Sequence, residues 1–336
     1  MKPNHISEDS LARLVEELSS QGQLVAPVRE GRSFAFSRVQ RGEQVCLTYT
    51  NSTVPPKSTL LPQIEELFSY EVKSGEVRPS EAGGEEVVLL GVRPCDSSAF
   101  SVLDRVMGGD RADPYYTKRR DRTTVVGLSC SRPRETCFCD AFGTGPIDGS
   151  GDDITLTKVS DGYVVRSKTA KGARLVRELS KHFRAATKKE VDDFESKSKK
   201  VKETLASGLT SEGLAGRMGK SIEDPYWQEA SERCIECGVC SFVCPTCYCF
   251  DVTEQVEGNG GKRYRGWDTC QSCRFSRMAG GLDPRPNKVD RFKHRFHHKL
   301  SYVPMAFNVM ACVGCGRCVS LCPTNVDIRE VIRKWQ

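Results

Sequence analysis

The chain has 336 residues, of which 38% are hydrophobic and 28% charged, with a formal net charge of +6. That length suggests about two domains at ~150 residues each, and the balance of apolar and charged residues excludes a mostly disordered chain. The basic residues are scattered, so charge alone calls for no nucleic-acid partner.

Seventeen cysteines are the outlying number. The opening residues, Met1-Lys2-Pro3-Asn4-His5-Ile6, form no apolar run and therefore no visible signal peptide. No stretch reaches the ~18 apolar residues of a membrane span. The expectation is a cytoplasmic chain that keeps its thiols reduced, and reduced thiols in clusters imply metal.

Residues 7–20 read as an amphipathic helix capped by Ser7, with Leu11, Leu14, Val15 and Leu18 at helical spacing. Strands are expected at 24–28, 34–39 and 45–49, with Cys46 a small core residue in the third. A loop at Pro55-Pro56 leads to an expected helix carrying Leu60, Leu61, Ile64, Leu67 and Phe68. Residues 86–92 and 123–128 are continuous apolar runs of the buried-strand type, with a helix at 99–106 between them. A hairpin is expected at 154–166 around Asp161-Gly162. Residues 171–220 carry dense mixed charge and read as a solvated helical linker.

The two buried strands run into Cys95 and Cys130, and Cys137 and Cys139 follow closely. If the strands are parallel, these thiols converge at strand ends, where open α/β sheets place ligands. Cys95, Cys130, Cys137 and Cys139 are therefore expected to hold a third metal group, with a zinc site or inert buried thiols as the alternatives.

The strongest signal lies in the last hundred residues. Cys234, Cys237, Cys240, Cys244-Pro245 and Cys312, Cys315, Cys318, Cys322-Pro323 both spell C-x-x-C-x-x-C-x-x-x-C-P. In two-cluster ferredoxins the first three cysteines of each run wrap one 4Fe–4S cube and the fourth ligates the other. One cluster is thus expected on Cys234, Cys237, Cys240 and Cys322, and the other on Cys312, Cys315, Cys318 and Cys244. Zinc sites more often show two separate C-x-x-C pairs.

The 67 residues between Cys244 and Cys312 are long for a simple ferredoxin, and an insert of helices suits an all-α domain of the α-helical ferredoxin type. A further quartet, Cys247, Cys249, Cys270 and Cys273, is a candidate fourth site. Its alternatives are thiols lining the neighbouring clusters, or a mixed ligand set with Asp251 or Asp268. Residues 285–299 are basic, with Phe292 and Phe296 on one helical face. That segment reads as a docking surface, as electrostatic support for anionic clusters, or as a solvated helix, with His294, His297 and His298 at the surface. The tail, 326–336, has a helical apolar stripe. No G-x-G-x-x-G follows a strand, no C-x-x-C-H is present, and no flavin signature is evident.

These motifs occur in a familiar order: Gly91-Val92-Arg93-Pro94-Cys95-Asp96, Asp113-Pro114-Tyr115-Tyr116, Thr136-Cys137-Phe138-Cys139, then Cys244-Pro245-Thr246-Cys247-Tyr248-Cys249-Phe250-Asp251, Trp267-Asp268-Thr269-Cys270, Ala279-Gly280-Gly281 and Cys312-Val313-Gly314-Cys315-Gly316-Arg317-Cys318. The set resembles the iron–sulfur beta subunit of cytoplasmic NiFe sulfhydrogenases and its counterpart in anaerobic sulfite reductase. The likeness runs nearly end to end and includes Lys57 and Pro62; Cys273 departs from the family pattern. It implies a subunit that passes electrons between a flavin subunit handling NAD(P)H and a catalytic subunit of NiFe hydrogenase or sulfite reductase type.

The expected fold is α+β. A mixed α/β domain (1–180) and a charged helical linker (181–225) precede the all-α dicluster domain (226–336). Two 4Fe–4S clusters are expected, then a third and a fourth on the further quartets, with no catalytic residue. The competing readings are a substrate-reducing centre at Cys95, favoured if only three cysteines ligate it, and a zinc-binding interaction module.

Overall fold

The computed structural model describes residues 2–81 and 83–336. A short strand, Asn4–Ile6 (β1), precedes the amphipathic helix Glu8–Ser20 (α1), which Ser7 caps by accepting a hydrogen bond from the Ser10 N–H. Leu24–Glu30 (β2) and Ser33–Arg38 (β3) pair as a hairpin.

Two expectations fail in the next stretch. Residues 45–49 form no strand, only a single bridge from Val45 to Val28. A longer ladder on that edge of β2 would need the N–H that Pro27 lacks. Cys46 is accordingly half-buried beside the Thr48 hydroxyl, not a core residue. The expected helix around Leu60–Phe68 is instead one tight turn, Pro56–Thr59, followed by the strand Ile64–Glu71 (β4) and its partner Glu76–Pro79 (β5). Leu60 and Leu61 are buried but Ile64 is 72% exposed, so the apolar spacing marks no single buried face. Cross-strand pairing overrides it.

Val87–Val92 (β6) leads into Pro94–Met107 (α2) and Pro114–Arg122 (α3), and the chain returns as Thr123–Leu128 (β7). Then follow Ile154–Val159 (β8), Gly162–Ser167 (β9), Ala170–Glu178 (α4) and Arg184–Ala185 (β10). The strands form an eight-stranded sheet in the order β10-β1-β9-β8-β7-β6-β2-β3, and the β2, β6, β7 and β8 neighbours are parallel. Alternate residues of β6 and β7 feed opposite faces. Leu90 and Val126 pack with α1, whereas Leu89 and Val125 pack with Phe100, Leu103 and Tyr116. The charged segment that follows is docked: Lys188–Thr204 (α5) lies against β8 and β9, where Asp193 accepts from the Ser160 N–H at 2.7 Å.

The C-terminal region holds Leu214–Gly219 (α6), Tyr226–Ser231 (α7) and Val239–Phe242 (α8). It continues with Phe250–Glu257 (β11), Gly260–Trp267 (β12), Lys288–His297 (α9), Val303–Phe307 (α10), Arg317–Ser320 (α11) and Ile328–Trp335 (α12). This region is not all-α, because β11 and β12, eight residues each, make a hairpin that joins β4 and β5 in a second sheet. The reason is an ionic anchor on the N-terminal region. Arg265 of β12 is buried and pairs with Glu65 of β4, at 2.5 Å, and with Asp113. Elsewhere the core is helical, with Trp227 stacked on Trp335 at 4.9 Å and on Phe296 at 5.9 Å.

The two regions are clamped at a second point. Arg317, 1% exposed, makes two hydrogen bonds to the Asp96 carboxylate, at 2.6 and 2.8 Å, and two more to Ser52. Removing one partner of such a pair strands the other charge and costs about 3–5 kcal/mol, whereas an apolar replacement of both is often tolerated. Asp96→Asn and Arg317→Met should each lower the anaerobic unfolding midpoint markedly, and the double variant Asp96→Leu/Arg317→Met should recover much of the loss. Additive losses in the double variant would contradict the clamp.

Candidate metal centres

The two cysteine runs fold as the same turn. In each, the second and fourth residues after the first cysteine take positive φ: Glu236 (57°) and Gly238 (71°) in one, Gly314 (62°) and Gly316 (75°) in the other. That winding turns backbone N–H groups toward sulfur, as from Glu236 to Cys234 at 3.4 Å, and near the end of the second run Val326 donates to Cys322 at 3.2 Å. The third cysteine of each run sits on a short helix, Cys240 on α8 and Cys318 on α11, and these helices pack together.

The fourth cysteines cross over. A cavity is lined by Cys234, Cys237, Cys240 and Cys322, with Cys318, Arg295 and Phe296 in its wall. Cys244 lies instead among Cys312, Cys315 and Cys318 and interacts electrostatically with all three. Cys237 is exposed, whereas Cys312 and Cys315 are buried. Burial lifts the Cys315 thiol to about 12.

The basic segment 285–299 faces inward. Arg291, Arg295 and Lys299, four residues apart, are all buried along one side of α9 and its continuation. His298–Tyr302 form a widened π turn just before Pro304, which cannot donate an N–H to the preceding turn. Lys299 sits in that turn. Its Nζ is 3.3 Å from the Cys244 sulfur, 3.6 Å from Cys247 and 2.8 Å from the Ala311 carbonyl. The histidines are not at the surface either: His297 is fully buried and His294 and His298 half-buried, and desolvation lowers all three to about 4.

Arg291 pairs with Glu236 at 2.6 Å, but the others have no such partner. The strongest charge interactions of Arg295, Lys299 and Lys57 are with cysteines and with each other, and burial lowers the Lys57 pKa. The Arg295 Nε is buried without a hydrogen-bond partner. Isolated buried cations cost several kcal/mol each. Burial works against the charge on Arg295 and Lys299, yet the thiols of Cys240 and Cys318 around the first and of Cys244 and Cys247 around the second hold both above their ordinary pKa. This chemistry fits an anionic sulfur-ligated group. Among the described residues, no three His, Cys, Asp or Glu side chains close on a point as a single-ion site would. Zinc draws its thiolates to ~2.3 Å of one centre, whereas a four-iron cube needs its ligands further apart.

The N-terminal quartet gathers where two parallel strands end. Cys95 opens α2 just after β6, and Cys130 follows β7. Cys130 lies close to Cys95, Cys137 and Cys139, and burial pushes its thiol up to about 11. The loop carrying Cys137 and Cys139 lies directly on the second run: the Phe138 N–H donates to the Gly314 carbonyl at 2.9 Å, and any Cβ at Gly314 or Gly316 would collide with the Phe138 or Thr136 backbone. Cys95 in turn neighbours Cys315.

The last quartet separates. Cys249 and Cys270 are close enough for their thiols to interact, which pulls Cys270 down to about 6, and Cys247 lies beside Cys249 and Cys244. Cys273 is exposed and lies by Arg291. Asp251 is exposed, and Asp268 accepts from the Thr269 N–H at 2.6 Å. Sequence reasoning missed Lys57 and the Asp96–Arg317 pair as parts of the metal region. The i, i+4, i+8 spacing of Arg291, Arg295 and Lys299 was the signal that could have marked the inward face.

Residues 233–326 match the 4Fe-4S dicluster domain family. The chain is 34% identical over 317 residues to the sulfhydrogenase 2 subunit beta of Pyrococcus furiosus, covering 94% of this chain and 92% of that one. A cysteine framework with buried basic residues, a dicluster domain and near end-to-end similarity agree: the chain belongs to the family of sulfhydrogenase beta subunits, iron–sulfur proteins of electron transfer.

Proposed function

We propose that this chain is the electron-transfer subunit of a cytoplasmic multi-subunit oxidoreductase, relaying electrons between a flavin-containing, NAD(P)H-linked subunit and a catalytic subunit of NiFe hydrogenase or sulfite reductase type. Cys234, Cys237, Cys240 and Cys322 hold one 4Fe–4S cluster, and Cys312, Cys315, Cys318 and Cys244 a second. Cys95, Cys130, Cys137 and Cys139 hold a third, in an N-terminal domain of residues 1–180. When bound, such clusters carry single electrons at potentials spanning roughly −700 to +450 mV across cluster types.

The observation that carries the reading is the chain of contacts between the three cysteine sets. Cys318 lies in the wall of the cavity formed by the first set, and Cys315 of the second set neighbours Cys95 of the third. Arg295 and Lys299 are buried against the two C-terminal sets without carboxylate partners. Their fixed charge favours the more negative, reduced state of whatever those thiolates hold. No helix among the described residues is long and apolar enough to cross a membrane, which accords with a cytoplasmic complex.

Purified anaerobically from its native source, the chain should be brown, contain several-fold more iron than zinc, and bring its redox partners with it. Colourless protein loaded with zinc would end the proposal. Cys95→Ala should lose about four iron atoms per chain relative to wild type and leave the electron paramagnetic resonance signals of the C-terminal pair intact; an unchanged iron content would remove the N-terminal site. Lys299→Met should shift one C-terminal midpoint potential to more negative values, by about 59 mV for each ~1.4 kcal/mol of lost interaction in a one-electron step. Potentiometric titration that finds every midpoint unmoved would deny Lys299 that role.

A further inference from the structure

Three cysteines beside the two ferredoxin runs are left over by this reading. We propose that Cys247, Cys249 and Cys270 form a metal site of their own, which takes an iron–sulfur cluster through three thiolates and leaves one iron to a small anionic ligand that is not cysteine. The inference rests on the chain being an iron–sulfur protein, and it deepens that reading.

The backbone brings the cysteines to the base of one hairpin. Cys249 immediately precedes β11, and Cys270 follows β12 by three residues. The hairpin base is closed by the Phe250–Trp267 pair and by the Asp268 N–H, which donates to the Cys249 carbonyl at 3.0 Å. A ladder of eight paired positions therefore holds the hairpin base, with Cys249 opposite Asp268 and Cys270 two residues further along the returning strand. Cys247 reaches the same place from the end of the first ferredoxin run, where its sulfur is 3.6 Å from the Lys299 Nζ.

The second observation is Lys57. It comes from the N-terminal region, is 3% exposed, donates to the Cys247 carbonyl at 2.7 Å, and sits 4.1 Å from the centre of the Trp267 ring. Burial pushes the Lys57 ammonium below its ordinary pKa, and the cysteines around it, Cys247, Cys244 and Cys249, pull it the other way. An ammonium carried across the domain boundary into such a place is unfavourable unless those sulfurs bear negative charge. Arg295 already faces the cavity of the first run, and Lys57 adds positive charge on the side where these three thiols lie.

The missing fourth thiol follows from where the other cysteines are. Cys273 is exposed and interacts with Arg291, Cys46 lies beside Thr48 far along the sequence, and the remaining twelve belong to the three sets above. Three-thiolate ligation leaves one iron open to exchange, and Lys57 and Lys299 favour an anion there. A substrate-reducing centre in this chain therefore belongs here and not at Cys95, where four thiols converge.

The test uses the full chain, purified anaerobically with its clusters. About sixteen iron atoms per chain are expected, at four per cluster. Mild oxidation should convert one cluster to the three-iron form, seen as a new paramagnetic signal, and cyanide added as the probe should perturb that cluster alone. Cys249→Ala and Cys270→Ala should each lose about four irons and the new signal, while Cys273→Ala should lose neither. About twelve irons in the wild type with no three-iron signal would overturn this site and leave the three-cluster reading standing. Little or no iron would overturn both. A Cys249–Cys270 disulfide in iron-replete protein, or iron loss in Cys273→Ala, would also overturn it. If the alanine variants fail to fold, the wild-type iron count and oxidation signal still decide.

Discussion

Positive charge buried against sulfur is the constraint on which the rest of this structure turns. Lys57, Arg295, Lys299 and Arg317 are all 5% exposed or less, and only Arg317 has a carboxylate to itself. A protein interior rejects isolated cations by several kcal/mol each. The surrounding cysteines hold Arg295 and Lys299 above their ordinary pKa against that cost, whereas burial lowers the pKa of Lys57. The helix that delivers Arg295 and Lys299 is shaped to this end, because its widened turn before Pro304 lets Lys299 reach Cys244, Cys247 and the Ala311 carbonyl together.

The same constraint explains why the two regions are interleaved. Lys57 crosses from the N-terminal region to Cys247, Asp96 crosses to Arg317, and Arg265 crosses the other way to Glu65 and Asp113. The Asp113-Pro114-Tyr115-Tyr116 motif thereby acquires a structural meaning. Asp113 caps α3 and receives Arg265, Tyr115 donates to the Leu67 carbonyl of β4, and Tyr116 donates to Asp104 at 2.6 Å. Residues far from any cysteine thus set the position of the hairpin whose base carries Cys249 and Cys270.

Cysteine spacing was legible in the sequence because ligand geometry repeats locally: a run of thiols at steps of three needs no knowledge of the fold. The convergence of Cys95 and Cys130 was legible too, since apolar runs ending on a cysteine identify buried strands and their ends. What could not be read was decided by contacts over long separations. Ile64–Glu71 has a helical scatter of apolar residues, but Glu65 is claimed by Arg119 and Arg265, and pairing with β12 makes it a strand. The hairpin at 250–267 left a local trace in Gly258-Asn259-Gly260 between alternating residues, which the cysteines on either side obscured. The inward turn of Arg295 and Lys299 runs against the general rule that charge faces water, and that rule fails where the interior itself is anionic.

The two ferredoxin turns share one backbone conformation but not one neighbourhood. In the second, Gly314 is pressed against the Phe138 backbone, and a side chain has nowhere to go. In the first, the corresponding Glu236 tolerates the same left-handed conformation and extends to Arg291, while Cys237 reaches solvent. The duplicated turn is therefore interchangeable in one direction only. A glycine version fits the outer place at the loss of one ion pair, whereas the glutamate version cannot enter the inner one. Contact with the N-terminal loop has given a near-symmetric pair an inner and an outer terminal.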